Sequence, residues 1–174
     1  MPRSGKKRLF FALWPDDDIR DRVVRATRAE VRGTDGKPTP PENLHMTLNF
    51  LGPTPQSLIH SLIERVSALP LAPFELTLEQ YGYWQRAGTL WLGPNETPRP
   101  LAELVGDIGR ISHELGLPRN RRAFIPHMTL ARKVGRLAPK EPPRPIRWPV
   151  NEFVLAESAL GGRHSRYTIL EHFD

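Results

Sequence analysis

Apolar residues in this chain alternate between strand-like runs and helical stripes, and the same order occurs twice. An apolar run at 8–14 is followed by a stripe at 16–32, where Ile19, Val23, Ala26 and Val31 recur at helical spacing. A second strand-like run spans 44–51. The pattern then repeats as a strand at 88–93, a helix at 98–116 and a strand at 124–132. The second helix carries Leu101, Leu104, Val105, Ile108, Ile111 and Leu115 and stops at Gly116. Acidic residues in the first turn of the 16–32 segment suit the positive end of a helix dipole.

Other segments occur once. Leu58, Ile59, Leu62, Ile63, Val66 and Leu69 predict a helix at 56–69. A strand at 74–83 and a turn at 85–88 lead into Thr89–Leu92 as a hairpin. No matching helix follows the second repeat, where Pro139, Pro142, Pro143 and Pro145 interrupt the chain. A final hairpin is predicted from 152–160 and 166–173 around Gly161, Gly162 and Arg163. The expected fold is α+β, with residues 1–174 forming a single bilobed domain of duplicated strand-helix-strand halves.

Within the two copies lies an identical tetrapeptide, His45-Met46-Thr47-Leu48 and His127-Met128-Thr129-Leu130, about 82 residues apart. Six His and ten Thr in 174 residues predict a chance H-x-T roughly 0.3 times. In a strand, His and Thr share one face and Met and Leu the other. The apolar pair suits a buried face, which leaves His and Thr as a polar face on core-like strands. Local rules break in this way at functional sites. The competing reading is a structural histidine copied by duplication.

Composition narrows the chemistry. A chain without cysteine excludes disulfides, thiolate catalysis and Cys-ligated zinc. Neither motif histidine has a carboxylate two or four residues away, so no metal site is expected. No G-x-x-x-x-G-K-[ST] loop is present. The apolar run from Leu9 to Trp14 is too short for a signal sequence or a membrane span, so the protein is expected to be cytoplasmic, behind a basic tail of Arg3, Lys6, Lys7 and Arg8. The net charge of +6 favours polyanionic partners, with solubility alone as the competing account.

The paired H-x-T-x motifs resemble those of the 2H phosphoesterase superfamily. Leu44–Gly52 and Pro126–Arg132 are similar to the RNA 2′,3′-cyclic phosphodiesterases, also called 2′-5′ RNA ligases. The segments Arg8–Leu13 and Leu155–Ser158 are similar as well. The resemblance implies two pseudo-symmetric lobes, each an antiparallel sheet with helices outside, whose motif strands face a central groove. It implies metal-independent, cofactor-free hydrolysis of an RNA 2′,3′-cyclic phosphate to a 2′-phosphate. It also implies reversible, ATP-independent 2′-5′ joining of tRNA fragments.

One imidazole must accept a proton and the other donate one, which two histidines can do near neutral pH. The residues leave the two roles symmetric; the resemblance implies His127 as base and His45 as acid. Thr47 and Thr129 are expected to donate to nonbridging oxygens. The resemblance also implies Arg132 as a phosphate-site cation, although strict alternation sets it opposite His127 unless a bulge re-aims it. Arg119, Arg121 and Arg122 precede the second motif and are candidates for RNA phosphates, as are Arg163 and Arg166 beside the last turn. Phe11 is a candidate base stack, against a competing core role. His60, His113, His164 and His172 read as surface or capping residues. The expected partner of a monomer is RNA with a cyclic-phosphate end, as tRNA fragments or short oligonucleotides. The rivals are an enzyme acting on small cyclic nucleotides or other cyclic phosphates and a non-catalytic nucleotide- or RNA-binding module.

Overall fold

A computed structural model describes residues 5–137, 141–159 and 164–174. Arg3, residues 138–140 of the proline-rich segment and the turn residues 160–163, Arg163 among them, lie outside the described residues. The fold starts from strand β1 (Lys6–Leu13), whose last five residues are all buried. A strand buried on both faces reads as a continuous apolar run rather than an alternation. Leu9, Phe11 and Leu13 join the main core on one face. Phe10 and Ala12 join Val154 and Ala156 on the other.

Helix α1 (Asp17–Arg32) follows, opened by Asp16, whose carboxylate accepts the Ile19 amide at 2.9 Å. Its buried residues, Ile19, Val23 and Thr27, recur every four positions and face the core. The short strand β2 (Lys37–Pro38) and a 3₁₀ turn at Pro41–Asn43 lead to the first motif strand, β3 (Met46–Pro55). Helix α2 (Gln56–Ser67) comes next. Then come β4 (Phe74–Leu78), β5 (Gln80–Trp84) and β6 (Thr89–Gly93). Helix α3 (Arg99–Glu114) buries Leu101, Leu104, Ile108 and Ile111, and Gly116 takes a positive φ of 87° just past its end. The second motif strand is β7 (Met128–Arg132), followed by β8 (Ile146–Val150), β9 (Phe153–Ala159) and β10 (Arg166–Phe173).

One sheet runs β10-β9-β1-β3-β7-β6-β5, with β2 added beside β7, and every pairing in it is antiparallel. Two half-sheets meet at its centre, where β3 and β7 pair only at Met46↔Met128. The units β1-α1-β3 and β6-α3-β7 have the same form on either side of that pair: an antiparallel strand pair joined through a helix. The three helices cover the face that carries Met46, Leu48, Met128 and Leu130.

Three expectations need correction. The strand expected at 74–83 divides at Glu79. Its first part pairs with β8 in a separate two-stranded sheet, and its second pairs with β6. Strand β8 was not anticipated, because Pro149 and the prolines before it masked an in-out alternation of Ile146, Trp148 and Val150. Proline is tolerated there because it sits on an edge. The second motif strand begins at Met128 rather than 124, since Pro126 lacks an amide to pair.

Close packing of β5 on β6 depends on Gly82, which lies in register with Trp91. A Cβ there would stand 2.0 Å from the indole ring. Gly82→Ala should therefore destabilise the fold by about 1–3 kcal/mol, the usual cost of overpacking. Gly106→Ala, in α3 with nothing within 4 Å of a new Cβ, should instead stabilise it by about 0.5–1 kcal/mol. Urea unfolding of the two variants tests the contrast.

Candidate active site

Each motif histidine lies one residue before its strand and is anchored by the same local device. His45 Nδ1 donates to the Asn43 carbonyl at 2.6 Å, and His127 Nδ1 donates to the Ile125 carbonyl at 2.8 Å. A carbonyl can only accept, so each Nδ1 carries the proton and each Nε2 is left for chemistry. The 3₁₀ turn at Pro41–Asn43 presents the first carbonyl. The extended, non-strand stretch ending at Pro126 presents the second.

The Met46↔Met128 pair fixes how the two motifs meet. One residue further along in either direction, antiparallel register sets Thr47 level with His127 and Thr129 level with His45. Each histidine thus faces the threonine of the other copy. All four line a single cavity of about 450 Å³. Lys37, Lys133, Arg122 and Arg132 line it too, so its walls carry four cations.

Both imidazoles are wrapped in aromatic rings. Trp14 stacks on His45 with centroids 4.8 Å apart and planes 6° from parallel. Phe10 and Tyr167 approach the same ring at 5.1 and 5.0 Å. Around His127, Trp84 stands edge-on at 4.5 Å and Trp91 at 6.1 Å. Burial among these rings penalises the imidazolium and pushes His45 down to about 4; the charges of Arg132 and His127 add to the effect, against the Asn43 hydrogen bond. His127 is also lowered, first by burial and then by Arg132, against the hydrogen bond to Ile125. The site therefore holds two neutral imidazoles at neutral pH, beside four cationic side chains.

The family model described as the 2′-5′ RNA ligase superfamily matches residues 15–162, and that span contains both motifs. The chain belongs to this superfamily. It is 31% identical to the RNA 2′,3′-cyclic phosphodiesterase of Escherichia coli over 172 residues, covering 98% of this chain and 97% of that one. It is 35% identical to the Thermus thermophilus protein of the same name, over 95% and 89% of the two chains. The crystal structure of E. coli LigT complexed with 3′-AMP superposes with a TM-score of 0.90 at 30% identity, over 97% of each chain. The architecture is thus the α+β one of a superfamily whose named relatives are phosphodiesterases.

The arginines divide by whether they reach the cavity. Arg132 reaches the cavity because β7 carries one extra residue against β6: Leu90 pairs with Ala131, but Trp91 pairs with Thr129. The bulge at Leu130 resets the alternation, so Thr129 and Arg132 share a face. Arg122 lines the cavity, whereas Arg121 is exposed outside it. Arg166 is exposed and does not line it, and Arg119 lines a neighbouring cavity.

Phe11 is a correction. It is fully buried against Phe153 and Phe173, so no base can reach it. The face of β1 that meets the site is that of Phe10. Sequence reasoning missed Trp14, Tyr167 and Trp84, as well as Lys37 and Lys133. The only local signal for Trp14 was its place at even spacing from Phe10. His164, read as a surface residue, lines the cavity, while His60 and His172 do not. Among the described residues no group of three or more His, Asp or Glu is arranged to hold a metal ion.

The buried histidines link stability to pH. In the unfolded chain both titrate near 6.5, and in the folded chain His45 titrates near 4. Between those values the unfolded state binds more protons. Stability from this source is full above about 6.5 and declines as pH falls toward 4. NMR titration should find the His45 ring changing protonation near pH 4 and that of His127 below 6.5, with the thermal midpoint falling across the same window. A His45 ring titrating at 6.5 or above would contradict the burial argument.

Proposed function

We propose that this protein hydrolyses the 2′,3′-cyclic phosphate at an RNA 3′ end to a 2′-phosphate, without a metal ion or cofactor. The observation that carries the reading is the pairing of two Nδ1-anchored imidazoles over one cation-lined cavity, each level with the other motif's threonine. The likeness to proteins named RNA 2′,3′-cyclic phosphodiesterase supports the substrate class. The LigT complex with 3′-AMP supports a nucleotide-sized ligand.

In this mechanism His127 Nε2 takes a proton from water as the water oxygen bonds to phosphorus. The bond from phosphorus to the 3′ oxygen breaks, and His45 delivers a proton to that oxygen. The products are a 2′-phosphate and a free 3′ hydroxyl. Thr47, Thr129 and Arg132 stabilise the charge that builds on the nonbridging oxygens. If a 5′ hydroxyl takes the place of water, the same proton transfers form a 2′-5′ bond, and the strained ring supplies the driving force that ATP supplies elsewhere. Because His45 is the harder of the two to protonate in the free protein, its proton must be held there by the bound phosphate anion. Both lobes supply half of the machinery, so the chain works as one domain and as a monomer. The cellular setting that fits is the cytoplasm, with tRNA fragments or other short RNAs as substrate.

His45→Ala and His127→Ala should each lower kcat for a cyclic-phosphate-ended oligonucleotide by about 10²–10⁴ in EDTA, the worth of a positioned acid or base. The double variant should be little worse than either single one. A folded single variant with near wild-type turnover, or wild-type activity abolished by EDTA and restored by a divalent ion, would refute the scheme.

A second expectation concerns pH. The active form holds one Nε2 proton between the two histidines, so kcat/KM should peak between the free-protein values, above about 4 and below 6.5. The kcat profile should peak at higher pH, because the bound anion raises both values. Coincident profiles would show that bound phosphate does not act on the histidines.

A further inference from the structure

Two large apolar side chains stand out from the surface of the described residues: Phe50, 52% exposed, and Ile125, 46% exposed. Neither is used by the reaction above, and neither lines its cavity. Phe50 lies in β3 and pairs in register with Phe10, whose ring packs on His45. Phe50 is therefore the strand neighbour of the ring that packs on His45. Ile125 is two residues before His127.

The chemistry around Phe50 is cationic. The Arg8 guanidinium carbon lies 5.6 Å from the centre of its ring. Among the described residues Arg8 is in no ion pair, and its buried Nε has no hydrogen-bond partner. Arg122, in no ion pair among the described residues, lines the candidate active site. An exposed aromatic ring on an open sheet face, with an arginine plane above it, matches the flat face of a nucleobase. The unpaired cations match its phosphate.

We propose that Phe50, with Arg8 over its ring, forms a subsite for the nucleotide 5′ to the cyclic-phosphate end of an RNA substrate. This inference rests on the phosphodiesterase reading of the site. On a strand that ends at the cyclic phosphate, any further nucleotide lies on the 5′ side, so contacts beyond the terminal one fall to that neighbour. The base stacks on the Phe50 ring or the Arg8 plane, and Arg8 meets the intervening phosphate. The subsite distinguishes RNA from a cyclic mononucleotide.

The test compares 2′,3′-cyclic AMP with a trinucleotide ending in a cyclic phosphate. Phe50→Ala should lower kcat/KM for the trinucleotide about 5- to 100-fold, the range of one base–aromatic stack, and leave cyclic AMP unchanged. Phe50→Tyr should restore the trinucleotide. Equal loss on both substrates would make Phe50 a prop for His45 through Phe10 and overturn the proposal. No loss on either would also overturn it and leave the patch to a second copy of the chain or a protein partner. If the wild-type protein turned over neither substrate, the phosphodiesterase reading would fail by itself. Fluorescence anisotropy with a labelled trinucleotide 2′-phosphate would then decide the subsite, since weaker binding by Phe50→Ala supports it and unchanged binding refutes it.

Discussion

The structure turns on the contact of two buried methionines. Met46 and Met128 face each other where the half-sheets meet, and both are fully buried under the helices. Because side chains alternate along a strand, burying these two commits the flanking His and Thr to the opposite face. Because the pair is antiparallel, each histidine is set against the threonine of the other copy. A one-residue slip on either side would put methionine into the groove and histidine into the core. The register is thus held by the cost of that exchange, and the site inherits its symmetry from the packing.

The surroundings of the two imidazoles add a second constraint. Aromatic rings exclude water from both, and Arg132 opposes any positive charge on either. Left to itself the site holds no imidazolium at neutral pH. A cyclic phosphate monoanion reverses the balance by pairing with the cations and favouring an imidazolium beside it. In the proposed reaction, chemistry is then coupled to occupancy, since the acid is armed by the anion it acts upon.

Much of this was legible locally. The stripes at 16–32, 56–69 and 98–116 correspond to α1, α2 and α3 to within two residues at each end, because each presents an apolar face at helical spacing and an unambiguous end. The duplicated tetrapeptide pointed to the four polar groups that line the cavity. Strand β8 was obscured by prolines that an edge position tolerates. The run at 74–83 looked like one strand because nothing in its sequence says that its halves pair in different sheets.

What the sequence determined by itself is the alternation within each motif: methionine and leucine inward, histidine and threonine outward, twice over. Only the tertiary structure decided which way the neighbours point. A single extra residue at Leu130 brings Arg132 round to the histidines, and the buried face of β1 claims Phe11 while the site face takes Phe10. Trp14, Tyr167 and Trp84 converge on the imidazoles from strands and loops far apart in the chain. Alternation is a property of a few consecutive residues and can be read from them. Bulges, sheet pairing and desolvation are set by partners distant in sequence, and they exist only once the chain has closed on itself.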